Sequence, residues 1–445
     1  MKKNLDINVM VIKIGGMMYK ELDEILNDLE SIGSDKDELK KIRKIIIPIL
    51  DKNNDLDIII NEIIAKIVIE SKRFLNLKNK DNINYLTGFS SSIYLPTFDN
   101  SGEVNILLTG GVRSRINENK IDSNTLFDVA SITKLFTLIL TLKLSEDGII
   151  NLDDKIVDIN PDFKGLEDYT FNDLLRLHGV LATNGVISSA SNYEDAYNIL
   201  KTVYLKDNTR NKNKYNDLGA IIIGKTIEKV MSKRLGKDIN LNDLMNEYIF
   251  KKVDMHNTTY NPDRNNISGN GGYDTLVHDP STRILNGISG SAGIFTTSSD
   301  LNKLANALYS GKILSKDSLK RIGEITFPNS FQCGKGNLGV YVKSSIPNKT
   351  YTPDIFSTDS FAHQGWTGAI AIFDPNNYIH FNFLPNAILK EDDKYIYHDK
   401  PIGYIKEFGK YYDKIVDYIM MIYIIKKYYK VYKNQDIEVN KYINI

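Results

Sequence analysis

The chain has 445 residues, with 56 Lys and Arg balanced by 56 Asp and Glu, so its formal net charge is zero. A composition of 42% hydrophobic and 25% charged residues is that of an ordinary folded protein, and the length predicts two or three lobes. Zero net charge argues against nucleic acid or an anionic membrane as the main partner. A single cysteine, Cys333, excludes an intrachain disulfide and a multi-cysteine zinc site.

Residues 1–85 read as a helical extension. Met18, Leu22, Ile25, Leu26 and Leu29 recur at helical spacing, as do Ile42, Ile45, Ile46 and Ile49. Asp55 is placed to cap a third helix over 56–74, with Ile59, Ile60, Ile63, Ile64 and Ile67 on one apolar face. The polar run 76–82 then reads as a linker. These helices are expected to pack onto the main domain or to form an accessory element that binds a partner or caps the active site. The first apolar run is broken by Lys13 and followed by Lys20, Glu21 and Asp23, which makes a poor signal peptide. No stretch reaches the roughly 20 apolar residues of a membrane span, so a soluble, cytoplasmic protein is expected.

Strand patterns begin after Leu86. Residues 92–98 and 104–110 flank Asp99-Asn100-Ser101-Gly102, a hairpin signal. A helix-rich middle covers about 131–260, and strand character returns at 338–343, 360–373 and 378–384. A long helix over about 402–433 closes the chain. Its tyrosines and isoleucines, with Lys426, Lys427, Lys430 and Lys433, could lie on a membrane surface, but packing across the sheet is the simpler expectation. Strands first, helices inserted and strands last describe a sheet built from both ends of the chain, with a helical lobe between.

The chemistry concentrates in three places. Ser131-Ile132-Thr133-Lys134 opens an apolar helix and puts serine and lysine on one helical face. A serine hydroxyl is a weak nucleophile until a neighbouring base takes its proton, and lysine can be that base if burial lowers its pKa. Alone, the pattern is short, occurs by chance and more often describes a helix N-cap serine and a surface lysine. It is followed by Tyr215-Asn216-Asp217 before the apolar helix 220–230, and by His363-Gln364-Gly365-Trp366 before the apolar run 369–373.

In this order the three segments resemble the serine β-lactamase and penicillin-binding-protein superfamily, in its class C-like branch. That branch includes β-lactamases, D-amino-acid peptidases and carboxylesterases. The superfamily's general motif set runs Ser-x-x-Lys, a Ser-Asp-Asn-type motif and Lys-Thr-Gly, and in the branch the second resembles Tyr-x-Asn and the third is often His-x-Gly. Here Tyr-Asn-Asp stands for the branch's Tyr-x-Asn, and His-Gln-Gly for its His-x-Gly. Residues 287–297, Gly-Ile-Ser-Gly-Ser-Ala-Gly-Ile-Phe-Thr-Thr, resemble the family's glycine-rich segment. Residues 170–181 resemble its helix and turn behind the site, although the common His-Thr-Ser-Gly there has become Leu177-His178-Gly179-Val180.

The resemblance spans about 86–433. It implies an α/β (α+β) fold of β-lactamase/transpeptidase type: an antiparallel sheet flanked by helices, with an inserted all-helical lobe at about 131–285, the whole domain being 86–445. It implies that Ser131 becomes acylated, that Lys134 and Tyr215 share general-base work, and that the backbone N–H groups of Ser131 and Trp366 form the oxyanion hole. Asp217 is then expected to meet Lys134 or the substrate, His363 to line the opposite wall, and Gly365 to support the strand. Asp217 in place of asparagine should hold Lys134 protonated, which favours Tyr215 as base. A histidine in place of the Lys-Thr-Gly lysine should bind a carboxylate less well. Both changes point to ester or D-amino-acid amide hydrolysis ahead of antibiotic hydrolysis. The alternatives are a D-alanyl carboxypeptidase or penicillin-binding protein, a class C-like β-lactamase, and a non-catalytic ligand-binding homologue. The expected partner is a small molecule or peptide, with no nucleic acid and no cofactor.

The remaining features read as structural. His178, His256, His278, His363, His380 and His398 show no metal-ligand spacing. Val277-His278-Asp279-Pro280 resembles a Val-His-Asp element of the branch, and is read as a turn. Gly269, Gly271 and Gly272 lack the Gly-Lys-Ser/Thr of a phosphate loop and suggest a flexible rim. Cys333 has no catalytic partner pattern.

Overall fold

The structure is a computed structural model that describes residues 20–52, 55–78, 82, 84–98, 102–114, 118–210, 212–269, 277–324, 336–343, 352–386, 389–391, 394–396 and 406–445. Cys333, His398, Gly271, Gly272 and the proposed turn at 99–101 lie outside these residues. The central sheet uses β1 (Gly88–Leu95), β2 (Val104–Gly111), β3 (Tyr341–Val342), β4 (Phe361–Gln364), β5 (Ile370–Asp374), β6 (Ile379–Pro385) and β7 (Val439–Asn444). Its spatial order is β7-β2-β1-β6-β5-β4-β3, so both halves of the chain contribute. Every pairing is antiparallel except that of β7 with β2, which is parallel.

Strand alternation assigns the two faces different layers. Phe89, Ile93 and Leu95 of β1, Ile370 and Ile372 of β5, and Phe381 and Phe383 of β6 share one apolar core with the N-terminal helices and the closing helix. These are α1 (20–31), α2 (Lys36–Lys52), α3 (Leu56–Leu75) and, at the C-terminal end, the helix Lys406–Lys433. The other face presents Ala371, Phe373 and Leu384 to a second core built with the helical lobe. That lobe includes α4 (Thr133–Glu146), α5 (Leu218–Leu235) and α6 (Ser298–Tyr309). With the closing helix numbered α7, the layers run helices, sheet, helices. A polar seam joins α6 to the sheet: Ser90 donates to Ser298 Oγ (2.9 Å), and Asn302 Nδ2 donates to Ser92 Oγ (2.7 Å).

The N-terminal helices follow the predicted periodicity. Asp55 accepts from the N–H groups of Asp57 and Ile58 and so caps α3, while Ile59, Ile63 and Ile67 are buried. Each buried isoleucine contributes about 1.5–3 kcal/mol of transfer free energy. Phe74 stacks on Tyr411 of α7 at 4.7 Å. Asp35 N–H donates to the Asp354 carbonyl, and Thr358 N–H to that of Ile32. These helices therefore occupy the sheet face opposite α4, away from a position where they would cap the predicted site. The closing helix likewise buries Ile415, Ile419 and Ile422, so its apolar face is spent on the core and not on a membrane surface. Among the described residues, no helix is long and apolar enough to cross a membrane.

Three local expectations differ. Residues 360–373 are not one strand but two, β4 and β5, paired antiparallel across the turn at 365–369. Residues 338–343 are not one strand: Leu338 (φ +49°) and Gly339 (φ +86°) form a 3-10 turn, and only Tyr341–Val342 pair with β4. The closing helix is also not the last element, because β7 follows it at the sheet edge.

Candidate active site

Ser131 lies in a single 3-10 turn, Ala130–Ile132, that runs directly into α4. The turn is strained. Ala130 has φ +45°, a left-handed conformation that costs a residue with a Cβ about 1–2 kcal/mol. Its N–H donates to Asp128 Oδ1 (2.8 Å), and Val129 N–H donates to the Ile294 carbonyl (3.1 Å).

Lys134, one turn on, is completely buried. Its Nζ donates to Ser131 Oγ (2.9 Å) and to the Ser291 carbonyl (3.0 Å), and pairs with Asp217 Oδ1 (2.7 Å). These three oxygens surround the ammonium, and the Tyr215 hydroxyl is a further hydrogen-bonding neighbour. Burial opposes the charge, but Asp217 and Tyr215 outweigh it and hold the Lys134 pKa above the ordinary lysine value. The Tyr215 ring stands beside this group, its centroid 5.0 Å from Nζ. Gly339 backs the ring so closely that a Cβ there would approach Tyr215 Cε2 to 2.4 Å. Asn216 Oδ1 accepts from Gly219 N–H (3.3 Å) as the segment enters α5.

The glycine-rich segment threads between α4 and α5. Thr137 Oγ1 donates to the Gly290 carbonyl (2.8 Å), and a Cβ on Gly290 would lie 2.1 Å from the Ala220 carbonyl oxygen. This close approach delivers the Ser291 carbonyl to Lys134.

On the other side, β4 brings Gly365 against the nucleophile turn, where a Cβ would lie 2.3 Å from the Val129 carbonyl oxygen. Gly365 N–H donates to the Ala369 carbonyl (2.7 Å), closing a turn that leaves Trp366 54% exposed. Trp366 is thus on a turn beyond the strand. His363 is buried, with Nδ1 3.1 Å from the Gln364 carbonyl and Nε2 3.3 Å from that of Leu338. Burial and the Lys134 charge push its pKa down to about 4, so it is a neutral group inside the wall, not one facing the open cleft.

The structure therefore gathers Ser131, Lys134, Tyr215 and Asp217, with Gly365 and His363 adjoining. Sequence reasoning passed over Asp128, Ser291, Leu338 and Gly339, whose parts depend on long-range contacts that no local spacing displays. It read Val277-His278-Asp279 as a turn. Asp279 does cap the helix Pro280–Ile284, accepting from Thr282 N–H (2.7 Å). His278 does more: its backbone N–H and ring Nδ1 both meet Asp128 Oδ2, at 2.8 and 2.9 Å. Among the described residues, no group of His, Cys, Asp and Glu is placed to hold a metal ion.

A strained serine turn, a buried lysine three residues on and a facing tyrosine, on a sheet flanked by helices, form a cluster suited to the chemistry of a serine hydrolase. A sequence model of the beta-lactamase family matches residues 100–397, and the chain belongs to that family, whose members are serine hydrolases. A curated relative from Escherichia coli K12, provisionally named a D-alanyl-D-alanine carboxypeptidase, is 24% identical over 318 residues, covering 60% of this chain and 70% of the relative. The fold is similar to that of a D-amino acid amidase from Ochrobactrum anthropi: 17% identity, 81% of this chain and 99% of that one, TM-score 0.57. It is also similar to the hydrolase EstCE1, at 15% identity over 82% of this chain and 100% of that one, TM-score 0.58. A class C beta-lactamase solved with cefoxitin matches at 15% identity, 83% and 99% coverage and TM-score 0.56.

Proposed function

We propose that the protein hydrolyses an ester or amide of a small molecule or peptide through an acyl-enzyme on Ser131. The observation that carries this reading is the set of three oxygens around Lys134 Nζ: Ser131 Oγ, Ser291 O and Asp217 Oδ1. A lysine so satisfied is a fixed cation, which leaves Tyr215 as the base. Ser131 Oγ attacks the carbonyl carbon while Tyr215 takes the hydroxyl proton. The backbone N–H groups of Ser131 and Trp366 receive the oxyanion, a donor of this kind being worth about 3–4 kcal/mol. Tyr215 then passes its proton to the leaving group. Water repeats the sequence in the other direction, regenerating Ser131 and releasing the acid.

The charges favour a substrate without a carboxylate beside the scissile bond. Lys134 is neutralised by Asp217, and His363 is neutral at physiological pH. Esters and D-amino-acid amides fit this balance better than β-lactams, and the likeness to a D-amino acid amidase supports it. A D-alanyl carboxypeptidase is the second reading, supported by the Escherichia coli relative. We read the helices α1–α3 as a packing layer of the same folded unit, on the strength of the core they share with the sheet and α7.

The test is to incubate the protein and a Ser131→Ala variant with short-chain nitrophenyl esters, D-amino-acid amides, D-alanyl peptides and a chromogenic cephalosporin, following acylation by intact mass. Turnover of esters or amides, lost in Ser131→Ala and reduced about 10²–10⁴-fold in Tyr215→Phe, is the expected result. Full ester activity in Ser131→Ala would overturn the nucleophile assignment. Preferential turnover of D-alanyl peptides would move the reading to the carboxypeptidase.

A further inference from the structure

We propose that the buried Asp128–His278 pair is a positioning device that holds the nucleophile turn in its active shape. The inference rests on Ser131 being the nucleophile.

Three observations carry it. First, Ala130, the residue before Ser131, has a left-handed backbone at φ +45°. Such a conformation persists only where the surroundings impose it, and its relaxation would swing Ser131 Oγ away from Lys134. Second, Asp128 supplies the constraint. Its carboxylate is buried and receives Ala130 N–H on Oδ1 and both His278 donors on Oδ2. Its backbone is fixed by the pairing of Phe127–Asp128 with Phe295–Thr296. Third, the Asp128 carbonyl accepts from Thr367 Oγ1 (2.8 Å), in the turn that carries Trp366. One residue therefore ties together the nucleophile, the turn bearing the second oxyanion donor, and a segment 150 residues away in sequence.

His278 is the member that makes the device specific. A buried carboxylate needs its donors, and removing the His278 ring leaves Asp128 Oδ2 with one backbone N–H where it had two donors. With Asp128 as acceptor, the ring must present Nδ1–H, so an amide N–H placed where Nδ1 stands should serve, and an aliphatic side chain should not. The next residue, Asp279, lies in the electrostatic field of Asp217 and Lys134, which places this segment beside the reacting groups.

The experiment compares wild type with His278→Ala, His278→Asn, Asp128→Ala and the Asp128→Ala/His278→Ala double variant. It reads ester kcat and KM, the rate of Ser131 labelling by an alkyl fluorophosphonate, and deuterium uptake of the peptide spanning 127–135. His278→Ala should lose about 10²-fold in kcat and in labelling rate, the scale of a displacement near 1 Å at a reacting group, with KM within about threefold. His278→Asn should recover to within about fivefold of wild type. The double variant should be no slower than Asp128→Ala, because the two residues act as one unit. His278→Ala at more than half the wild-type rate, His278→Asn as slow as His278→Ala, or additive losses in the double variant would overturn the proposal. If wild type neither turns over an ester nor is labelled, the hydrolase reading fails, and deuterium uptake decides the positioning role alone. Faster uptake in His278→Ala that His278→Asn reverses would support it, and unchanged uptake would sink it.

Discussion

Substituting Asp217→Asn isolates the charge that holds Lys134 protonated. The variant keeps an oxygen where Lys134 Nζ meets Asp217 at 2.7 Å and removes only the negative charge. At that spacing Coulomb's law gives about 1.5 kcal/mol in bulk water and about 6 kcal/mol at an effective dielectric of about 20. The Asp217 side chain is 45% exposed although that of Lys134 is 0%, so solvent screens the pair. The lower part of the range, about 2–3 kcal/mol, is then the working figure, or about two pK units. Because the Lys134 pKa starts above the ordinary lysine value of 10.5, a fall of that size leaves it charged at neutral pH. Ester turnover at pH 7 should change less than about tenfold. Above about pH 9 the variant should begin to lose rate where wild type does not. The sign for stability follows from a folded pKa raised above the unfolded one: the pair's contribution is complete below the unfolded lysine pKa and is lost as pH rises through the folded value. Asp217→Asn should therefore unfold more easily in denaturant at pH 7, and the gap should close only in strong alkali. A variant that gained activity at pH 7 would show the neutral amine to be the base and refute the role given to Tyr215.

Other perturbations follow from the same geometry. Gly365→Ala puts a Cβ 2.3 Å from the Val129 carbonyl oxygen. β4 must then retreat by about 1 Å from the nucleophile turn, and acylation followed by intact mass should slow about 10²-fold; wild-type acylation would refute this close approach. His363 and His380 are buried with pKa values lowered to about 4 and about 3. Each favours the fold fully above the unfolded histidine pKa and loses that contribution as pH falls. By pH 4.5 the loss is on the order of 2–3 kcal/mol each, so denaturant midpoints should drop between pH 7 and 4.5. His380→Asn should flatten the profile, and an unchanged pH dependence in that variant would contradict the burial argument. Trp366 is the sole tryptophan and stands exposed beside the site, so the emission of Ser131→Ala should change on adding an aromatic ester. Trp366→Ala should raise KM for aromatic esters more than for acetyl esters, and an equal effect on both would remove its role as a platform.

The candidate site residues were legible because three short motifs in order resemble those of one family. A serine and a lysine three apart at a helix start share a face, while Tyr215 and Asp217, which precede α5, were picked out by the resemblance and not by spacing. The helices at 20–75 were legible from their 3.6-residue periodicity, and β5 as the apolar run that follows Gly365. Where a run of apolar residues met a tertiary demand, pattern alone misled. Leu338-Gly339-Val340-Tyr341-Val342 reads as a strand, yet Leu338 must bring its carbonyl to His363 Nε2 while Gly339 backs the Tyr215 ring. Both requirements put the backbone at positive φ and shorten β3 to two residues. β7 escaped notice for a related reason: a parallel edge strand is specified by its partner β2 across the fold and not by a turn in its own sequence.

Asp128 shows the same division at the active site. Its neighbours Ser131 and Lys134 announce themselves by spacing, but an aspartate before a turn is among the commonest residues in any loop. What distinguishes it is the company it keeps: a residue at positive φ, a histidine far along the chain and a threonine in the turn between β4 and β5. Such a residue can be substituted without touching the serine, the lysine or the tyrosine. If the geometry of the turn governs the rate, its loss should show in kcat while those three side chains remain in place. In the proposed reaction the visible motif supplies the reacting atoms, and the less visible contacts set the distance over which they react.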